Sequence, residues 1–302
     1  MAFKNNKALL IVNPKAGKQA GKTNIYNIIS ILSQKYDLTV HLTEYSGDAV
    51  DTAAQAENFD TIICCGGDGT VSQVLEGSSA LSHPVNIGYI PCGTTNDLAT
   101  AIGIPKNIRA AASAIVNGQP IVHDVGQFGE HRRFIYTATF GAFARTSYQT
   151  SQDMKNILGH FAYLLSGVTE LGNIKSYKLK LCCDGRVFKA DDIILCAVMN
   201  STSIGGILKL PKDEVDFADG KFEILMIRMP ASIFELNDLI IALTKSDYSN
   251  KNIVYLKGTE VRAMTDTKVA WTIDGENAGE HTDVSIKCLR HAASFIREPK
   301  YE

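Results

Sequence analysis

The sequence predicts an α/β half followed by an all-β half. Up to about Asp124, short apolar runs alternate with helical patterns, as in βα units that build a parallel sheet. After Asp124 the runs alternate apolar with polar residues, the pattern of antiparallel strands. No linker rich in Pro, Gly or Ser separates the halves, which predicts close packing with a cleft between them.

In the first half, strands are expected at Ala8 to Asn13, Leu38 to Thr43, Thr61 to Cys65 and Asn86 to Ile90. Between them, Tyr26, Ile28, Ile29, Ile31 and Leu32 recur at roughly helical spacing, and Asp48 to Asn58 is rich in alanine and acid, so both stretches suit covering helices. Pro91 and Gly93 end the fourth strand, and Thr94-Thr95-Asn96-Asp97 offers N-caps for a further short helix. In the second half, strands are expected at Phe134 to Phe140, Lys178 to Cys183, Ile193 to Met199, Phe222 to Arg228, Val254 to Leu256, Val261 to Met264 and Val269 to Ile273. Helices are expected at about Asp153 to Leu171 and at Ile233 to Leu243.

Bulk composition narrows the functional classes. With 302 residues, 45% of them hydrophobic and 21% charged, the chain can bury a full core and divide into two domains. Thirty basic and thirty-two acidic side chains leave a formal net charge of −2, so no strong overall field attracts nucleic acid. Met1 to Lys7 lacks the apolar core of a secretory signal, and no apolar run approaches the ~18 residues of a transmembrane span. The seven cysteines include the neighbours Cys64-Cys65 and Cys182-Cys183, which suit buried thiols of a cytoplasmic protein better than a disulfide framework or a CxxC metal knuckle.

The most informative motif is Gly66-Gly67-Asp68-Gly69-Thr70, set between the apolar run Thr61 to Cys65 and a helix-like segment from Val71. Its glycines let the backbone approach an anion, and the start of a helix supplies unpaired N–H groups that favour phosphate. A carboxylate among such amides would repel bare phosphate, so Asp68 predicts Mg²⁺, or Mg²⁺-bound water, between them. A tight strand-to-helix turn with an acidic first residue is the competing reading. Ala16 to Thr23 resembles a P-loop, but Ala16 stands where its first glycine belongs and Asn13-Pro14 opens the loop differently.

Asn13-Pro14 with Gly17, GGDGT at 66 to 70, Gly93-Thr94-Thr95-Asn96-Asp97, His123-Asp124 and Asp274-Gly275-Glu276 appear in the order seen in the diacylglycerol kinase catalytic family, and the chain resembles its soluble bacterial lipid kinases over nearly its whole length. GGDGT also occurs in NAD kinases and 6-phosphofructokinases; the later GTTND and DGE motifs favour lipid kinases. The resemblance implies a Rossmann-like nucleotide-binding domain at 1–125, to which about 291–302 return, and a β-sandwich lipid-substrate domain at 126–290, with the active site in the cleft between them. It implies an ATP site formed by Asn13, Thr43, Gly66, Gly67, Asp68, Gly69, Thr70, Val71, Ser72, Thr94 and Asn96. It places Asp68, Asp124 and Asp274 around a catalytic Mg²⁺ and makes Glu276 the base for the lipid hydroxyl. That division suits phosphoryl transfer, which needs charge neutralisation and one acceptor for the hydroxyl proton. Read alone, Asp274-Gly275 is a hairpin turn, and a turn can present a carboxylate.

The family also implies a structural Mg²⁺ held by the Asp219 side chain and the carbonyls of Asp216 and Lys221, within an acidic segment that includes Asp213 and Glu214. Oxygen donors of this kind suit a hard cation, while a solvated surface turn is the competing reading. Ile204 to Ile207 matches a further glycine-rich family feature. Met154, Ile157, Leu158, Phe161, Leu164, Leu165 and Val168 form an apolar stripe that reads as core before lipid site. Ser72 and Gln73 replace the Asn and Glu that often follow GGDGT in the family. The implied partner is a membrane lipid reached peripherally from the cytoplasm, and the dimers among relatives, with a strand edge in the β region, leave a homodimer open.

Overall fold

The computed structural model of the protein describes residues 6–94, 96–141, 175–204, 208–210 and 215–298, so the expected helix at Asp153 to Leu171, its apolar stripe, residues 205–207, Asp213 and Glu214 lie outside the described residues. The chain forms two compact units, Met1–His123 with His291–Glu302, and Asp124–Arg290.

The first unit alternates strand and helix: β1 (Asn6–Val12), α1 (Ala20–Leu32), β2 (Tyr36–Leu42), α2 (Asp48–Ala54), β3 (Thr61–Gly66), α3 (Asp68–Ser78), β4 (Asn86–Pro91), α4 (Asp97–Ile102) and α5 (Ile108–Asn117). The strands pair in parallel in the order β2-β1-β3-β4, and Phe295 extends the sheet beyond β4 by pairing with Ile87. β3 is buried along its whole length, as an apolar strand covered on both faces should be. α5, which the sequence reading did not assign, starts where the Asn107 side chain accepts the Ala110 N–H. Its C-terminal carbonyls are met by the ammonium of Lys35, 2.9 Å from the Val116 oxygen. α2 ends at Ala54, four residues before the expected Asn58.

The second unit is a β-sandwich of mostly antiparallel strands: β5 (Gln119–Phe128, entering from the first unit), β6 (Arg132–Phe134), β7 (Thr137–Gly141), β8 (Tyr177–Cys183), β9 (Arg186–Met199), β10 (Ser203–Ile204), β11 (Leu208–Lys209), β12 (Phe222–Arg228), β13 (Ile253–Gly258), β14 (Glu260–Ile273) and β15 (Glu276–Arg297), with one helix, α6 (Ile233–Lys245), between β12 and β13. β9 and β14 are long and each pairs with both β7 and β8, so the four strands belong to one continuous, folded-over hydrogen-bonded network. The sequence reading divides β14 into Val261 to Met264 and Val269 to Ile273. The structure joins them through a register shift at the polar residues between Met264 and Val269.

Two apolar clusters fill this unit. One surrounds Trp271, whose ring meets Phe140 and Phe128 edge-on, and includes Phe222, Ile224 and Met226. The other takes the opposite face of β9 and β12, with Leu195, Leu225 and Ile227 packed against Leu239 and Ala242 of α6. β12 is therefore buried on both faces, which explains its nearly continuous apolar run.

Candidate functional site

In the first unit, the GGDGT turn joins β3 to α3. Gly67 is the extended residue before the helix, and its carbonyl accepts the N–H groups of Thr70 and Val71. The glycines are required by space: a Cβ on Gly66 would lie 2.5 Å from the Thr70 hydroxyl, and one on Gly93 would lie 2.7 Å from the Gly67 Cα. Gly17 has φ +48°, and a Cβ there would strike the Cys92 carbonyl. The loops after β1, β3 and β4 thus meet backbone on backbone. Asn13 ties the first two, its amide donating to the Thr70 hydroxyl at 3.2 Å and its N–H to the Cys65 carbonyl. Thr43, just beyond β2, donates its N–H to Val12.

Asp68 accepts the N–H of Asp97 at 2.9 Å and that of Leu98 at 3.2 Å, so it caps the start of α4. The Tyr89 hydroxyl donates to the same carboxylate and also lies within hydrogen-bonding distance of Asn96. Asn96, at φ +51°, closes its own loop by exchanging side-chain hydrogen bonds with both backbone groups of Gly93. Burial, with the neighbouring Asp68 charge, raises the Asp97 carboxyl to about 6. Ser72 is half-buried on α3 and Thr94 is exposed; Thr95 lies outside the described residues. Ala16–Gln19 forms a short 3₁₀ turn that leads into α1, a strand-to-helix connection like that of a P-loop but without its first glycine.

In the second unit, Asp124 is fully buried. Its N–H donates to the Phe217 carbonyl at 2.7 Å, its carboxylate accepts the Gly220 N–H at 2.6 Å, and its carbonyl accepts the Asn200 side-chain amide. The acidic segment is a tight loop in which Asp216 accepts the Ala218 N–H and Asp219 that of Lys221. Burial, reinforced by the charges of Asp124 and Asp219, pushes the nearby Cys288 thiol up to about 12.

Asp274 and Gly275 both have positive φ and form the two-residue turn between β14 and β15, flanked by the paired Ile273 and Glu276. The Asp274 carboxylate is also buried in a ring of donors, the N–H groups of Ile135, Tyr136 and Thr137 at 2.7, 3.0 and 3.1 Å. Turn and anchored carboxylate coexist here. Glu276, first in β15, is exposed to solvent.

Within the first unit the structure therefore gathers Asn13, Gly66 to Val71 and Asn96. Within the second it joins Asp124 to the 216–221 loop and holds Asp274 at 135–137. Among the described residues no three His, Cys, Asp or Glu side chains converge as a metal cage. Mg²⁺ needs none, since it binds through one or two carboxylates completed by phosphate and water, and these oxygen donors fit that chemistry. Tyr89 and Asn200 escaped the sequence reading because each stands in or beside an apolar strand run, where local pattern says only core.

The whole chain can be compared with known proteins. Residues 7–128 match the model described as diacylglycerol kinase catalytic domain, and residues 137–294 match the YegS C-terminal NAD kinase beta sandwich-like domain. A diacylglycerol kinase of Bacillus subtilis (strain 168) is 32% identical over 98% of both chains. One of Staphylococcus aureus (strain JH9) is 28% identical over 96% of this chain and 92% of the relative. The crystal structure of a diacylglycerol kinase from Bacillus anthracis str. Sterne superposes with a TM-score of 0.76 at 27% identity, covering 98% of each chain. With both units and all the motif loops included in these matches, the chain belongs to the diacylglycerol kinase catalytic family and is a lipid kinase.

Proposed function

We propose that this lipid kinase transfers the γ-phosphoryl group of ATP to the free hydroxyl of diacylglycerol, giving phosphatidic acid. One observation carries the nucleotide half of this reading. Asn13, Thr43, the 66–72 turn, Thr94 and Asn96 all follow the carboxyl ends of parallel strands β1 to β4, the edge of an α/β sheet at which ligands bind. The diacylglycerol half rests on the relatives of that name.

In this reading the glycine turns and the N-terminus of α3 bind the triphosphate. Asp68, Asp124 and Asp274 would hold the catalytic Mg²⁺, directly or through water, and that ion would neutralise charge on the phosphates. Asp219, with the carbonyls of Asp216 and Lys221, would hold a second, structural ion. Glu276 accepts the lipid hydroxyl proton as the new O–P bond forms and the bond from the γ-phosphorus to the bridging oxygen of ADP breaks. The Asp274 ring of N–H donors fixes the turn and so fixes where Glu276 begins. No helix among the described residues is long and apolar enough to cross a membrane, and we place the enzyme in the cytoplasm, visiting the inner face of the membrane for substrate.

The test is transfer of labelled phosphate from ATP to detergent-dispersed diacylglycerol by the purified chain. Asp68→Ala and Glu276→Ala are expected to lower kcat by about 10²-fold or more while remaining folded. Full activity in both folded variants would remove the site assignment. A parallel reaction with NAD in place of lipid is expected to yield no NADP.

A further inference from the structure

We propose that Asn200, at the exit of β9, is a positioning residue that locks the Asp124 and Asp274 supports into one arrangement. The inference rests on the proposed roles of those two acids. Asn200 is 1% exposed and makes three directed contacts. Its side-chain amide donates to the carbonyl of Asp124 at 2.9 Å and to that of Phe217 at 3.3 Å. Its backbone N–H donates to the carbonyl of Tyr136 at 3.1 Å. Each contact leads to a different part of the second unit's acids.

Tyr136 belongs to the ring of donors around Asp274, and its own N–H binds that carboxylate at 3.0 Å. Phe217 lies in the acidic loop and also accepts the Asp124 N–H, while Gly220 of the same loop donates to the Asp124 carboxylate. One side chain therefore fixes the strand bearing Asp124 against the loop that holds its carboxylate, and the attached backbone fixes both against the support of Asp274. The side chain's orientation follows from its partners. Two carbonyl oxygens can be met only by the NH₂ group, because the flipped amide would set three oxygens against one another. Its Oδ1 is left buried without a donor among the described residues. A buried acceptor so placed is costly for packing alone, which is the cost expected where geometry serves the site.

The chemistry makes Asn200→Asp the informative change. It keeps the shape but turns an oxygen toward the Asp124 and Phe217 carbonyls. The NH₂ donor to both carbonyls is lost, so the strand and the loop that it joined are free to part. Turnover is therefore expected to fall while KM for ATP holds, a split that a loss of fold stability alone would not give.

The experiment measures kcat and KM for ATP for wild type, Asn200→Asp, Asn200→Ser and Asp124→Asn. Asn252→Ala, a change at a buried asparagine of the same unit outside this network, serves as the stability control. Asn200→Asp is expected to lose about tenfold or more in kcat, in line with the cost of displacing a catalytic group by a fraction of an ångström. Its KM for ATP should stay within about twofold of wild type. Asn200→Ser, whose hydroxyl can still donate to one carbonyl, is expected to lie between Asn200→Asp and wild type, and Asn252→Ala at wild-type kcat. If Asp124→Asn is inactive while folded Asn200 variants match wild type, or lose no more kcat than Asn252→Ala at equal stability, the positioning role is wrong and the site stands. Should Asn200→Asp not fold, Asn200→Ser decides by the same comparison. If Asp124→Asn keeps full turnover, the site reading fails and this inference fails with it.

Discussion

Glu223 is the residue whose surroundings most oppose its chemistry. It sits on the doubly buried strand β12 with no exposure, and the Lys257 ammonium, 3.6 Å away, is its charged partner. Burial raises its carboxyl from 4.5 to about 7, against a smaller opposing pull from Lys257. Between those pH values the unfolded chain gives up a proton that the folded chain keeps, so the fold loses stability as pH rises from about 4.5 to about 7. The loss is on the order of 3 kcal/mol. Denaturant titrations at about pH 5 and pH 7.5 should show this slope in the wild type and a flatter one in Glu223→Gln, because an amide has no proton to release. Equal slopes in the two proteins would mean that Glu223 ionises normally. Asp274 shows another solution for a buried acid: the N–H groups of Ile135, Tyr136 and Thr137 donate to its carboxylate.

At the scale of elements, the contact between the β3–α3 turn and the β4–α4 loop depends on Gly67 and Gly93. Gly93 does not have positive φ, so alanine there adds crowding without backbone strain, its Cβ falling 2.7 Å from both the Gly67 Cα and the Asn96 side-chain oxygen. Gly129 is the converse, with φ +62° and nothing within 4 Å of a Cβ. Gly93→Ala should cost about 1–3 kcal/mol and weaken nucleotide binding, because the two loops must part. Gly129→Ala should cost about 1 kcal/mol of backbone strain and leave binding unchanged. Denaturation and ATP titration of both variants separate these effects, and unaltered ATP affinity in Gly93→Ala would show that the loop contact does not shape the nucleotide site.

The same elements show what sequence can reveal. β1, β3 and β4 are legible within about two residues because each is a compact apolar run closed by Gly, Pro or Asn. The Asp274-Gly275 turn is legible from its two residues alone. β15 is not, because its alternation is diluted by the charged and histidine residues of its exposed positions. β14 looks like two strands because its bend is polar and solvent-facing. α5 has an apolar face, but Ala111, Ala112 and Ala114 make most of it, and alanine is a weaker local signal than the large apolar residues of the strands. In the candidate site, acids in turns announce themselves through composition, whereas Asn200 and Tyr89 act through distant partners that no local pattern records.

For the whole molecule, ligand linkage offers a test that needs no turnover. If ATP with Mg²⁺ binds the folded chain alone, it must raise stability, by about 2.7 kcal/mol at a hundred times Kd. The location of that gain distinguishes the proposed site from others. Hydrogen exchange should slow at the amides of 66–72 and 93–97, whose loops would contact the phosphates, while the Trp271 cluster of the second unit, already protected by burial, should change little. Asp68→Ala should reduce this protection in a particular way. The Asp68 carboxylate caps α4 through Asp97 and Leu98, so the variant loses protection at those two amides even without nucleotide, and the remaining response to ATP reports the phosphate site itself. Protection appearing on the P-like segment 16–23 while 66–72 stays unchanged would move the nucleotide away from the glycine turn, and the Lys22→Ala variant would then be the one that abolishes binding.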